Sequence, residues 1–312
     1  MQIRRLTRAD IDAAAELTAR VFAQGVAEQR AAFELARAAS LHCPFMPPEL
    51  CWGVFDEADT LVAKWQLVDL SVRVLGVPLR TAGSFAIAAE PAVRGDVVQR
   101  MVEAGRAEVS ELGFDLMIGV AQRGAIYQRL GARPICAEPL WELDPLHVPA
   151  PRAGERFHAP FPEQLPWSID TYLASNAARS GTLQRSAELL AFLPRRAPEM
   201  LAVEAGYLGL RVAAGDPASD IEVREVAAVD DAFYDAALRE LAERARAAGA
   251  RRVFGHVPAD HPLVLASAIY GAHVTVEHPR RSGCMAGLVD PARALEKLTP
   301  VLRARFAASA FR

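Results

Sequence analysis

The chain has 312 residues, 52% hydrophobic and 23% charged, with a formal net charge of −3, so it can bury a large core and lacks the basic field that nucleic-acid binding draws on. No apolar run reaches the roughly 18 residues of a membrane helix, and Met1-Gln2-Ile3-Arg4-Arg5 lacks the apolar core of a signal peptide. The expectation is a cytoplasmic protein with no nucleic-acid or membrane partner, long enough for two domains.

Residues 3–6 read as a short strand, and Arg8-Ala9-Asp10 opens an Ala-rich helix with apolar Ile11, Ala15, Leu17 and Val21. A second helix is expected over 27–39. Strands over 51–55, 60–70 and 71–79, with Asp56-Glu57-Ala58-Asp59 as a hairpin turn, lead into a central strand over 80–90. Then come Pro91-Ala92-Val93-Arg94-Gly95, a helix to Gly113, a strand over 115–121, a helix containing Tyr127, and a strand over 133–143 that closes the first mixed sheet.

Prolines at 139, 145, 149, 151, 160, 162 and 166 disfavour helix and predict an extended linker. Beyond it, a helix over 168–193, strands over 200–203, 207–213 and 221–229, a helix over 230–249 and a strand over 252–257 repeat the first order. The punctuation repeats too. Each long helix ends at a glycine, Gly113 and Gly249, and Leu130-Gly131-Ala132 answers Tyr270-Gly271-Ala272. The expected fold class is α/β (α+β) with two tandem domains, each a mixed, mostly antiparallel sheet flanked by helices. Their limits are 1–148, a linker at 149–166, a second domain at 167–290 and a C-terminal helix at 291–312.

Cys43, Cys51, Cys136 and Cys284 are scattered without paired spacing, and His256 and His261 have no nearby Cys or Glu at a metal spacing. Free thiols and no metal site are expected. The turn at 91–95 has the makings of an anion site: Pro91 stiffens the strand exit, Gly95 allows close backbone approach, and the next helix presents free N–H groups.

The run strand, turn, helix, strand, helix over residues 80–131 resembles the cofactor-binding half of a GNAT acetyltransferase. The tandem arrangement resembles the acetyltransferase part of the enhanced intracellular survival family, whose members carry two fused GNAT domains and then a sterol-carrier-like domain. Its most specific pieces are Val72-Arg73-Val74-Leu75-Gly76-Val77-Pro78, the turn from Pro91 to Gly95, and Met285-Ala286-Gly287-Leu288-Val289-Asp290. The third domain is not expected in these 312 residues.

The resemblance implies an N-acyltransferase with acetyl-CoA as co-substrate and a small-molecule or peptide amine as acceptor, in a possible homo-oligomer. It assigns phosphate binding to Val93, Arg94, Gly95, Asp96, Val97 and Val98, and pairing with the pantetheine arm to the backbone of Phe85, Ala86 and Ile87. The family's turn reads Arg/Gln-x-x-Gly-x-Gly/Ala. Gly95 matches the first glycine, whereas Ala92 stands at the Arg/Gln position, Val97 at the second glycine, and Asp96 brings a carboxylate into the cradle. Tyr127, at the Tyr-x-x-x-Gly spacing from Gly131, is the implied acid for the departing thiolate; the alternative is a ring that anchors its helix.

Glu90, Asp69 and Asp56 are candidate bases, and Trp52, Trp65 and Phe85 are candidates for an acceptor pocket, without a motif to single any out. In the second half Ser267 takes the tyrosine position, Tyr270 the leucine position, and Val229-Asp230-Asp231-Ala232 puts two carboxylates at a helix start. That half reads as a degenerate, non-binding copy. The rival to an enzyme is a catalytically inactive protein that keeps the tandem fold for binding or as a scaffold, motivated by Ala92, Asp96 and Val97.

Overall fold

The computed structural model describes residues 1–121, 125–129, 131–135, 138–154, 157–159, 165–192, 199–212, 220–277 and 283–309. Leu130, Cys136, part of the expected linker and the last three residues of the closing helix lie outside them.

The first half runs β1 (Gln2–Arg5), α1 (Ile11–Phe22), α2 (Val26–His42), β2 (Cys51–Phe55), β3 (Leu61–Val74), β4 (Val77–Ala89), α3 (Asp96–Glu111), β5 (Leu116–Ala121), α4 (Ala125–Arg129) and β6 (Arg133–Pro134). The remainder is β7 (Glu138–Leu143), α5 (Leu165–Ser175), α6 (Ala187–Phe192), β8 (Glu199–Val203), β9 (Gly206–Val212), β10 (Ile221–Ala228), α7 (Ala232–Ala248), β11 (Val253–Gly255), α8 (Pro262–Ser267), β12 (His273–Glu277), β13 (Gly283–Leu288) and α9 (Pro291–Ser309).

Strand alternation sorts the first core into two layers. Trp52, Val54, Ala63, Trp65 and Leu67 point to one face and pack on Val98, Met101 and Val102 of α3. Cys51, Phe55, Leu61 and Ala88 point to the other, against Ala14 and Leu17 of α1. Gly105 lets α3 approach this closely, because a Cβ there would stand 2.9 Å from atoms of both Trp52 and Trp65. These tryptophans, weighed between an acceptor pocket and the more common core role, are core, with ring centroids 5.5 Å apart.

Two local expectations are corrected. β3 does not break between residues 70 and 71, because Ser71 and Val72 stay paired with Arg80 and Leu79; the hairpin turns at Leu75 and Gly76, whose φ values are 55° and 84°. Positive φ at both central residues suits the twist of an antiparallel hairpin. The helix expected over 168–193 is two helices, α5 and α6, and between them residues 181–184 lie along the end of β3.

The larger correction concerns the strand expected over 133–143. It splits: β6 stays in the first sheet, ordered β1-β2-β3-β4-β5-β13-β6, and β7 joins the second, ordered β12-β7-β11-β10-β9-β8. β13, from the far end of the chain, pairs with β5 over Gly283↔Ala121 to Leu288↔Leu116, and β7 occupies the matching place beside β11. The halves exchange their last strands. Trp141 and Leu143 of β7 are therefore buried in the second core with Leu238 and Leu241 of α7.

α9 closes the chain against the first sheet. The fully buried carboxylate of Asp115 accepts from Arg293 at 2.9 Å, Lys297 at 2.7 Å and the Arg80 backbone N–H at 2.8 Å. Among the described residues no helix is long and apolar enough to cross a membrane.

Candidate active site

β4 and β5 run parallel and in register from Thr81↔Leu116 to Ser84↔Gly119. There they part: β4 continues to Ala89 paired with β3, and β5 continues paired with β13. At the fork β4 bulges, since Leu67 pairs with Ser84 and Gln66 with Ala86, leaving Phe85 between them. A bulge re-aims backbone and side chain alike, and this one faces the opening. Phe85 is 62% exposed and Val120, on the other arm, is 80% exposed, so the cleft has apolar lips. Ala86 is buried and Ile87 half-buried, so they offer backbone here.

Tyr127 of α4 lies over the fork on the face covered by α3. A Cβ at Gly119 would meet its Cε1 at 2.7 Å, so the ring rests on the bare backbone of β5. The phenol Oη is 2.8 Å from Ser84 Oγ, which accepts from the indole N–H of Trp65 at 2.9 Å. An indole N–H only donates, so Ser84 retains a hydroxyl proton, and either Ser84 or Tyr127 can be the donor between them. Burial pushes the phenol pKa up, and the hydrogen bond with Ser84 opposes that. Met285 and Ala132 pack beside the ring, so the exchanged strand β13 helps to hold it.

The expected phosphate cradle begins at the exit of β4. Gly95 has φ 94° and precedes the first turn of α3, whose N-terminus has no side-chain cap. A Cβ at Gly95 would meet nothing within 4 Å, so the approach to the free N–H groups is open. Arg94, Gly95 and Asp96 are exposed; Val93 and Val98 bury their side chains, and Val97 packs against the core edge. Arg94 turns back, its Nε donating to the Ala89 carbonyl at 3.4 Å.

None of the candidate bases stands free. Glu90 pairs with Arg20 at 2.9 Å, Asp69 with Arg80 at 2.6 Å, and Asp56 accepts from the backbone N–H groups of Ala58 and Thr60 at 2.9 Å. The Arg20–Glu90 pair borders a groove of about 360 Å³ between α1 and α2, lined by Glu16, Ala19, Arg20, Gln29 and Phe33. Burial pushes the Cys51 thiol up to about 12, which removes it as a nucleophile.

The matching places in the second half hold different chemistry. Asp230 accepts from the Ala232 N–H at 2.9 Å, so a carboxylate already occupies the start of α7. Ser267 Oγ accepts from Trp141 Nε1 at 2.8 Å, and the Tyr270 hydroxyl donates to Asp235 at 2.5 Å. Ser84 and Gly119 are not among the residues the sequence singles out, and Trp65, a candidate for the acceptor pocket, instead donates to Ser84. Gly119 had a legible signal: an isolated glycine in a strand marks close approach by another group.

Residues 2–135 match the family model described as an acetyltransferase (GNAT) domain. Among solved structures, a GCN5-related N-acetyltransferase from Anabaena variabilis is similar at 14% identity and TM-score 0.76, over 95% of this chain and 74% of that chain. A protein described as a probable N-acyltransferase from Enterococcus faecalis is similar at 16% identity and TM-score 0.71, over 95% and 74%. Eis1 from Mycobacterium abscessus is similar at 18% identity and TM-score 0.68, over 93% and 74%. Likeness at these identities is one of fold. No curated protein matches the chain.

Proposed function

Residues 2–135 carry the match to the acetyltransferase (GNAT) domain, and on that premise we propose that the chain is a GNAT-type N-acyltransferase moving an acetyl group from acetyl-CoA to an amine. The observation that carries the reading is the fork between β4 and β5, open at the Phe85 bulge, with the Tyr127 hydroxyl held above it. The uncapped α3 N-terminus and open Gly95 fit a diphosphate, and the bared edge of β4 fits an extended amide arm. Acetyl-CoA would supply the activated acyl thioester.

The backbone around Phe85, Ala86 and Ile87 would orient the thioester, with main-chain N–H groups polarising its carbonyl. Tyr127 holds a proton at Oη. In the arrangement where Ser84 donates to that oxygen, the phenol proton would be available to the thiolate sulfur as the C–S bond breaks and the N–C bond forms. The proton shed by the amine leaves to water, since Glu90, Asp69 and Asp56 are engaged. The groove between α1 and α2, lined by Glu16, Arg20 and Phe33, would be the approach for an amine.

The scaffold alternative keeps one observation in its favour: the Asp96 carboxylate sits exposed in the first turn of α3, where it disfavours a phosphate. A thermal-shift titration with acetyl-CoA decides between them. The enzyme reading expects a saturable rise lost in Arg94→Glu, and turnover with a panel of amines that falls in Tyr127→Phe while the rise remains. No rise would overturn it.

A further inference from the structure

The fork has a second face. Gly119 turns its bare backbone to Tyr127, so by strand alternation Val120 points away from α3, where it is 80% exposed. Val120 pairs with Cys284 of β13, and the Ile135 N–H donates to the Cys284 carbonyl at 3.1 Å. Pro134 pairs with Met285, which packs beside Tyr127, so Ile135, the next residue, shares the face of Val120 and Cys284. Ile135 is 55% exposed and Cys284 half-buried. With Phe85, exposed at the bulge, they make an apolar row from β4 across β5 and β13 to the end of β6.

α1 covers another part of that face: Ala14 and Leu17 pack on Cys51, Phe55, Leu61 and Ala88, over β2, β3 and the end of β4. The row lies beyond it. Large apolar side chains more than half exposed and set in one row mark a surface that meets something apolar. Its place says what that is. Tyr127, Ser84 and the core Trp65 close the α3 face of the fork, and the uncapped α3 N-terminus serves the donor in the reading above. The acceptor nitrogen therefore reaches the thioester from the far face, and what the nitrogen carries lies on the row. Arg133, which pairs with Ala286 and stands exposed on that face, adds positive charge that disfavours a second ammonium there.

We propose that the acceptor is a primary amine borne on an uncharged apolar body, an alkyl or aryl chain lying along Val120 and Ile135, and that these two side chains set its selectivity. The inference rests on the N-acyltransferase reading and narrows its acceptor. The transfer keeps its balance: the amine nitrogen bonds the acyl carbon, the C–S bond breaks, the thiol leaves with the Tyr127 proton, and the amine proton goes to water. A methylene moved fully out of water is worth about fourfold in an equilibrium, so a row open on one side should yield about twofold for each.

The test is thiol release from acetyl-CoA by the whole chain with ethylamine, butylamine, hexylamine and 1,6-diaminohexane, the monoamines differing in apolar length alone. From ethylamine to hexylamine kcat/KM should rise about 16-fold, about twofold per methylene. The diamine, as long but doubly charged, should fall back toward ethylamine. Val120→Ser combined with Ile135→Ser should flatten the rise to below about threefold and leave ethylamine within about twofold; both positions are exposed, so this variant should melt like the parent. If none of the amines is acetylated, the N-acyltransferase reading falls and this inference with it. If ethylamine and the diamine react as well as hexylamine, this inference alone falls. It falls too if the rise survives the double variant. With a flat amine series, a preference for hexanoyl-CoA over acetyl-CoA that the double variant loses would give the row to the acyl chain, and a dimer that the double variant splits would give it to a second copy; either overturns the proposal.

Discussion

Substituting Gly119 by alanine should cripple catalysis through a single methyl group. The added Cβ would sit 2.7 Å from Tyr127 Cε1 and 3.1 Å from both Cζ and Oη. Carbon contacts settle near 3.5–4.0 Å, so about 1 Å of displacement is required. β5 cannot supply it, because Gly119 is paired with Ser84 on one side and Met285 on the other. The ring must move, and its hydroxyl leaves the 2.8 Å contact with Ser84. An error of about 1 Å in a reacting group is worth roughly 100-fold in rate. Gly119→Ala should therefore lower kcat by about two orders of magnitude, leave KM for acetyl-CoA within about twofold, and cost about 1–3 kcal/mol of stability by overpacking. Alanine is otherwise the better strand residue by about 0.5–1 kcal/mol, so a loss points to the contact. Thiol release from acetyl-CoA, measured well below Tm with an amine the parent acetylates, gives the rate. The control is Tyr127→Phe: adding Gly119→Ala to it should cost little more, since the group being displaced is gone. If Gly119→Ala keeps kcat within about threefold, or its effect multiplies with Tyr127→Phe, the assignment of Tyr127 over this fork is wrong.

Ser84→Ala removes the hydrogen bond that opposes the upward shift of the Tyr127 phenol, so kcat should fall and the basic limb of its pH profile should move to higher pH; an unmoved limb would leave Ser84 without a positioning role. Asp115→Ala should destabilise by about 2–4 kcal/mol in urea unfolding, as it strands the Arg80 N–H and frees Lys297 and Arg293 of α9. Burial alone would raise the Asp115 carboxyl, yet Lys297 and Arg293 hold it below its ordinary range, so its contribution persists above about pH 4 and fades as the pH falls through that range. His261, buried as the cap that accepts from the Leu263 N–H at 3.1 Å, is pushed down to about 4 by burial. The unfolded histidine binds its proton near pH 6.5, so between about 6.5 and 4 the unfolded chain holds more protons and stability drops as pH is lowered, by about 2 kcal/mol from pH 7 to 5. His261→Asn, which can still cap α8, should flatten that drop; an unchanged slope would reassign it.

Local pattern made most of the elements legible. The alternation in Cys51–Phe55, the helix phase of Val98, Met101 and Val102, and the turn chemistry of Asp56 and Gly95 each depend on neighbours within a few residues, and such signals are written directly in the chain. The roles assigned to Tyr127 and to the turn at 91–95 came instead from the resemblance to GNAT acetyltransferases, not from local pattern. What tertiary structure alone decided was pairing between distant segments. Nothing near Glu138–Leu143 says that β7 will join β11, or that β13 will travel to β5, because each strand has an apolar face that either sheet would bury equally well. The fork of β4 and β5 and the packing of Met285 beside Tyr127 arise from contacts across tens of residues, and the seat of Tyr127 on Gly119 depends on how the two segments fold together. Sequence determined which surfaces needed covering; the three-dimensional packing chose what covers them.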